Sequence, residues 1–118
     1  MYYSVKIVFR REFDKFTYRN PYDDFQRSVR EMLSEKLMLQ EGDTLDIQFI
    51  IASRAKYEVR SRADVIVEIF GGGSLALGPT AHTRSVLIEI KQSVAAKVGV
   101  DDDDVHVLFI PVPSAYMA

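Results

Sequence analysis

Tyr3, Val5, Ile7 and Phe9 alternate with Ser4, Lys6, Val8 and Arg10 at the start of the chain. A period of two predicts a β-strand with one apolar face. The period then changes: Phe25, Val29, Met32, Leu33 and Leu37 recur at helical spacing and predict an amphipathic helix. Asn20 is placed to cap it, Pro21 fits its first turn, and Asp23 and Asp24 suit the positive end of its dipole. Glu41-Gly42-Asp43 marks its expected end. Leu45, Ile47, Phe49 and Ile51 then alternate with Asp46, Gln48, Ile50 and Ala52 in a second strand.

The same order returns after a basic joint, Ser53–Asp64, in which Tyr57 and Val59 suit a short edge strand. Val65, Val67 and Ile69 predict a third strand, and Gly71-Gly72-Gly73-Ser74 and Gly78-Pro79 interrupt it. A helix is expected from about Ala81 to Val98, with Leu87, Ile90, Val94 and Val98 inward and Gly99 closing it. The acidic turn Asp101–Asp104 leads to a fourth strand through Val105, Val107 and Phe109, which Pro111 and Pro113 break. Ile7 and Ile69 stand 62 residues apart, as do Phe25 and Leu87, while Ile47 and Val107 stand 60 apart. The chain is therefore one domain, 1–118, holding two β-α-β pseudo-repeats, 3–52 and 65–112.

A helical crossover makes the strands of each half parallel. The expected fold is α+β: a four-stranded sheet with two helices on one face. The other face carries Lys6, Asp46, Glu68 and His106, which share it as an ion-pair network or proton-handling group. It also carries Val8, Ile50, Ile66, Phe70, Leu108 and Ile110, an apolar patch too large to leave in water, so this face is expected to lie inside a small oligomer.

Composition narrows the function. There is no cysteine, which removes thiolate chemistry, disulfides and cysteine-ligated zinc. A net charge of −2 gives no electrostatic footprint for nucleic acid. No apolar run approaches the ~20 residues needed to cross a bilayer, and the start has no signal-peptide layout. A cytoplasmic protein without a membrane partner is expected. Tyr2 is too large for the usual trimming of methionine, so Met1 is expected to remain. Two histidines without a spaced third ligand make no metal site, and Asp101–Asp104 lacks the alternation of a calcium loop. Gly71–Gly73 fits no phosphate-binding motif. No cofactor is expected.

The segment from Thr83-Arg84-Ser85 through the helix to Asp101–Asp104 and Val105-His106-Val107-Leu108-Phe109 resembles the second half of the tautomerase superfamily, in its macrophage migration inhibitory factor branch. Val65–Phe70 and the glycine run resemble that family's strand and glycine loop. The first half follows in outline. The resemblance implies a homotrimer with sites between subunits near the N-termini, acting on small keto/enol acids through an N-terminal proline. Here the chain departs from the family. Position 2 is Tyr2, and Pro21, Pro79, Pro111 and Pro113 are all internal. No basic residue stands near Glu41-Gly42, Gly73-Ser74 follows the glycine turn where shorter relatives have arginine, and His106 stands where the last strand has another. The proline-base mechanism is not carried over.

His106 and Tyr2 are then the candidate catalytic groups. Histidine is the side chain that ordinarily titrates across physiological pH, and a phenol can donate to an enolate. Each also has a structural reading, as a histidine bonded inside an oligomer core and an aromatic that strands favour. Tyr3, Arg10, Arg11, Ser74 and Phe70 are candidate substrate contacts. Arg10 and Arg11 can clamp a carboxylate, although arginines after a strand are usually solvated. His82 is expected to be exposed. Three functions stay open: an isomerase of tautomerase type without a proline base, a non-catalytic trimeric binding protein of the same fold, and a ferredoxin-like regulatory module. The last shares the element order and is distinguished by strand direction within each half.

Overall fold

The computed structural model describes residues 2–10, 19–51, 63–71 and 81–111. Their order is β1 (Tyr2–Phe9), α1 (Arg19–Lys36), β2 (Thr44–Ile51), β3 (Val65–Gly71), α2 (Ala81–Val98), a short 3-10 turn at Asp102–Asp104 and β4 (Val105–Pro111). The sheet runs β2-β1-β3-β4. β1 pairs in parallel with β2, β3 pairs in parallel with β4, and the halves meet in the antiparallel ladder β1–β3. Parallel neighbours within each half match the doubled β-α-β unit and set the sheet apart from the ferredoxin-like alternative.

One face of the sheet holds the core. Tyr3, Val5, Ile7 and Phe9 of β1 and Val65, Val67 and Ile69 of β3 are buried beneath Val29, Leu33, Ile90 and Val94 of the helices. Each such aliphatic side chain contributes about 1.5–3 kcal/mol on burial. Phe25 ties α1 to the sheet, its ring 5.9 Å from Phe9 and 6.0 Å from Phe49. Both separations suit tilted or edge-on aromatic pairs. Arg30 adds a hydrogen bond from Nη1 to the Leu45 carbonyl at 2.8 Å.

Both helices close the same way. Leu39 N–H donates to Ser34 O and Met38 N–H to Glu35 O, with Met38 at φ 53°. Sixty-one residues on, Gly99 at φ 87° and Val100 both donate to Ala95 O. Each end has a left-handed residue followed by an apolar one, Leu39 or Val100, that packs on the core. The first helix thus stops at Lys36, five residues before the expected Glu41-Gly42-Asp43. Gly42, at φ 91°, serves a separate turn in which Asp43 N–H donates to Gln40 O. The same helix starts at Arg19, so Asp23 and Asp24 lie in its second turn, beyond the orphan N–H groups they were expected to face. Pro111 closes β4 as a strand residue opposite Gly71, which an edge strand tolerates.

The face without helices differs from its expected form at one end. Val8 and Ile66 sit opposite each other in the β1–β3 ladder and are 0% and 1% exposed within the single chain. They are therefore not part of an open apolar patch. Ile50 and Phe70 are half-buried. Ile51 at the end of β2 and Leu108 and Ile110 on β4 remain exposed, so apolar side chains lie open on both edge strands.

Candidate functional site

Strand register divides the candidate residues between two ends of the sheet. Tyr2 begins β1 opposite Thr44. Phe70 lies on the same face two positions along, opposite Ser4 and Ile110. His106 is opposite Ile66, which is opposite Val8. Six strand residues separate the levels of Tyr2 and Val8, about 20 Å at roughly 3.3 Å per residue. One chain therefore brings Tyr2 and Phe70 together and keeps His106 away from both.

At the first end the Tyr2 hydroxyl donates to Asp46 Oδ2 at 2.8 Å. Asp46 is in register with Ser4, so the phenol reaches diagonally across the parallel ladder. The hydrogen bond and the charge of Asp46 hold the Tyr2 phenol above its ordinary range. Tyr2 is a neutral donor there and not a base. Tyr3 faces the other way, into the core, where its ring crosses Gly71. Burial and the Asp43 charge raise its phenol as well. Tyr3 supports the Tyr2 end from beneath and shows little surface to a ligand. Lys6 stands between Gln48 and Glu68 in the same even-numbered face, with Asp46 diagonal to Lys6 and His106 diagonal to Glu68.

At the second end Arg10 is buried and not solvated. Its Nη1 donates to the Ala63 carbonyl at 3.1 Å, and its backbone N–H donates to Asp64 O at 2.8 Å. The guanidinium secures the approach to β3. Arg11 and Ser74 lie outside the described residues.

His106 is exposed on the edge strand. It lines a groove of about 240 Å³ with Arg84, Leu87, Ile88, Lys91 and Val107. Sequence reasoning did not single out Arg84 or Lys91 as site residues. Their signal was present: Arg84, Leu87, Ile88 and Lys91 follow the i, i+3, i+4, i+7 spacing of one helix face. His82 is exposed as expected. No group of three or more metal-ligating side chains occurs among the described residues, and no described helix is long and apolar enough to cross a membrane.

No family model matches the sequence, and no curated protein is similar to it by sequence comparison. Solved structures are similar over nearly the whole chain. Native fused 4-OT is 9% identical with a TM-score of 0.62, covering 98% of this chain and 91% of its own. The macrophage migration inhibitory factor of Trichinella spiralis is 8% identical at 0.62, covering 100% and 95%. Pt0534 inactivated by 2-oxo-3-pentynoate is 10% identical at 0.58, covering 100% and 90%. The chain has the tautomerase-superfamily fold, and the likeness read from its second half extends to the whole domain.

Proposed function

We propose that this is a trimeric protein of the tautomerase superfamily that binds a small keto/enol acid at the seams between subunits and moves a proton without a proline base. The fold carries this reading. Two of its structural neighbours, at 10% and 16% identity, are described with small carboxylates as an inactivator or inhibitor: 2-oxo-3-pentynoate on Pt0534 and 3-bromopropiolate on FG41 malonate semialdehyde decarboxylase. Another is described as a symmetric trimer of fused 4-OT. The exposed Ile51, Leu108 and Ile110 on the two edge strands support association through those edges.

A seam site answers the separation of Tyr2 from His106. Two ends about 20 Å apart in one chain meet only when one subunit's β1 start lies beside a neighbour's β4. In the keto-to-enol direction His106 takes the proton from carbon as general base. The Tyr2 phenol, protonated at neutral pH, turns from Asp46 and donates to the developing enolate oxygen. The C–H bond breaks, its electron pair forms the enol double bond, and the oxygen gains a proton as the imidazolium gives one up. Phe70 flanks the Tyr2 end as an apolar contact for the substrate body.

A non-catalytic binding protein of the same fold is the second reading, favoured by the Asp46 carboxylate that already occupies the Tyr2 donor. Enolisation of an aryl pyruvate, followed in wild type, Tyr2→Phe and His106→Ala, separates the two. The isomerase reading expects activity lowered by at least about a hundredfold in His106→Ala, the lower range for a lost general base. Activity untouched by both substitutions removes the assignment, and no activity on several enols favours binding alone.

A further inference from the structure

Two clefts among the described residues differ in what their charges are doing. The larger, about 540 Å³ between α1 and α2, carries Glu31, Glu35, Lys36 and Lys97. Its cations are engaged: Lys97 Nζ donates to Ser28 Oγ at 2.5 Å, and Lys36 lies 4.0 Å from Glu89. Its charges balance, which leaves no preference for a ligand of either sign.

The smaller cleft, between α2 and β4, is built differently. Arg84 and Lys91 stand two turns apart on α2 and His106 faces them from the edge strand. Between them lie Leu87, Ile88 and Val107. No carboxylate is among the described lining residues, and no side-chain hydrogen bond or ion pair within the described chain engages Arg84, Lys91 or His106. Glu89, the nearest acid in sequence to Arg84 and Lys91, is the partner of Lys36, and Asp104, two residues before His106, is not among the lining residues. The groove therefore has an apolar floor, with two cations and an imidazole at its rim.

We propose that this groove binds a compact organic monoanion with an apolar body, an aryl or alkyl carboxylate, through Arg84, Lys91 and His106. The sign follows from two fixed cations and no anion. Arg84 offers the planar fork that meets a carboxylate in bidentate fashion, and Lys91 adds a point charge. The apolar body follows from Leu87, Ile88 and Val107, which a bare inorganic ion leaves uncovered. The size follows from the volume, which equals about eight waters at roughly 30 Å³ each and falls below the ~300–1,000 Å³ of drug-sized sites. The groove lies within one chain, so binding needs neither a seam nor catalysis, and it goes beyond the reading above.

The test is a two-dimensional NMR titration of the full chain with phenylacetate, phenylacetamide and inorganic phosphate. Phenylacetate is expected to give saturable shifts at the amides of Leu87, Ile88 and Val107. Removing both cations in Arg84→Gln/Lys91→Gln, in a variant whose spectrum keeps its dispersion, weakens it by about tenfold or more, as loss of charge-assisted hydrogen bonds requires. The neutral amide is weaker by a similar factor, and phosphate, lacking an apolar body, weaker still. Shifts at the Leu87, Ile88 and Val107 amides read the groove and aryl pyruvate enolisation reads the seam, so failure of the one and failure of the other are distinguishable. Three results overturn the proposal: no saturable shifts, equal affinity for acid and amide, or affinity unmoved by Arg84→Gln/Lys91→Gln. A change of oligomeric mass in that variant, with no phenylacetate binding in wild type, assigns the groove to a second copy of the chain instead.

Discussion

The Tyr2 hydroxyl and the Asp46 carboxylate are joined by a 2.8 Å hydrogen bond across the β1–β2 ladder. The bond favours the neutral phenol, and the adjacent negative charge opposes its ionisation. Asp46→Asn removes the charge, so the Tyr2 titration is expected to fall back towards 10.0 when followed by phenolate absorbance. A group raised in the folded state stabilises it fully below the unfolded value and loses that contribution as pH rises through the folded value. Wild type should therefore lose more stability above pH 10 than Asp46→Asn does. An unchanged phenol titration in the variant contradicts the pairing.

Gly71 is required by Tyr3. A Cβ at position 71 lands inside the van der Waals envelope of the Tyr3 ring, 2.7 Å from Cε1. The ring is buried and cannot swing out at low cost. Gly71→Ala is expected to destabilise by about 1–3 kcal/mol, the usual cost of overpacking. Tyr3→Leu/Gly71→Ala should lose less than the sum of the single changes, because the clash is shared. Urea denaturation measures both, and strict additivity would show that the ring is not the obstacle.

The two helix ends predict opposite responses to opposite substitutions. Met38 holds φ 53° with its side chain 56% exposed, so Met38→Gly removes backbone strain at little packing cost. A gain of roughly 0.5–1 kcal/mol is expected. Gly99→Ala, at φ 87°, is expected to lose about 1 kcal/mol at the equivalent position. Thermal melts of the two variants check the pair.

Asp43 accepts the Gln40 backbone N–H at 2.8 Å, which holds its carboxyl below its ordinary value of 3.8. A depressed carboxylate stabilises the fold above its unfolded value and loses that contribution as pH falls through the folded one. Asp43→Asn is expected to flatten the acid limb of the stability curve below about pH 4. An unchanged acid limb counts against the turn as drawn.

Alternation and helical spacing made the fold legible, since the apolar positions that pack on the core alternate along the strands and recur at helical spacing in α1 and α2. Three features were not legible, each for a physical reason. The first helix ends at Lys36 because a non-glycine residue, Met38, turns left-handed and Leu39 packs on the core, and composition gives no sign of that. Arg10 is buried because the Ala63 carbonyl, distant in sequence, accepts its donor. His106 follows the strand period correctly, yet an edge strand has no further strand beside it, so the residue can line a groove with α2. Period alone places a side chain on a face and does not say whether the face ends there. The Tyr2 end was legible as a place and not as a pair, because Asp46 meets Tyr2 only once the β1–β2 register is fixed.

Sedimentation equilibrium of the full chain at micromolar concentration tests the seam site most directly, because Tyr2 and His106 have no other way to meet. The account predicts a single species of three times the chain mass. A species that stays at one chain mass across tens of micromolar contradicts it.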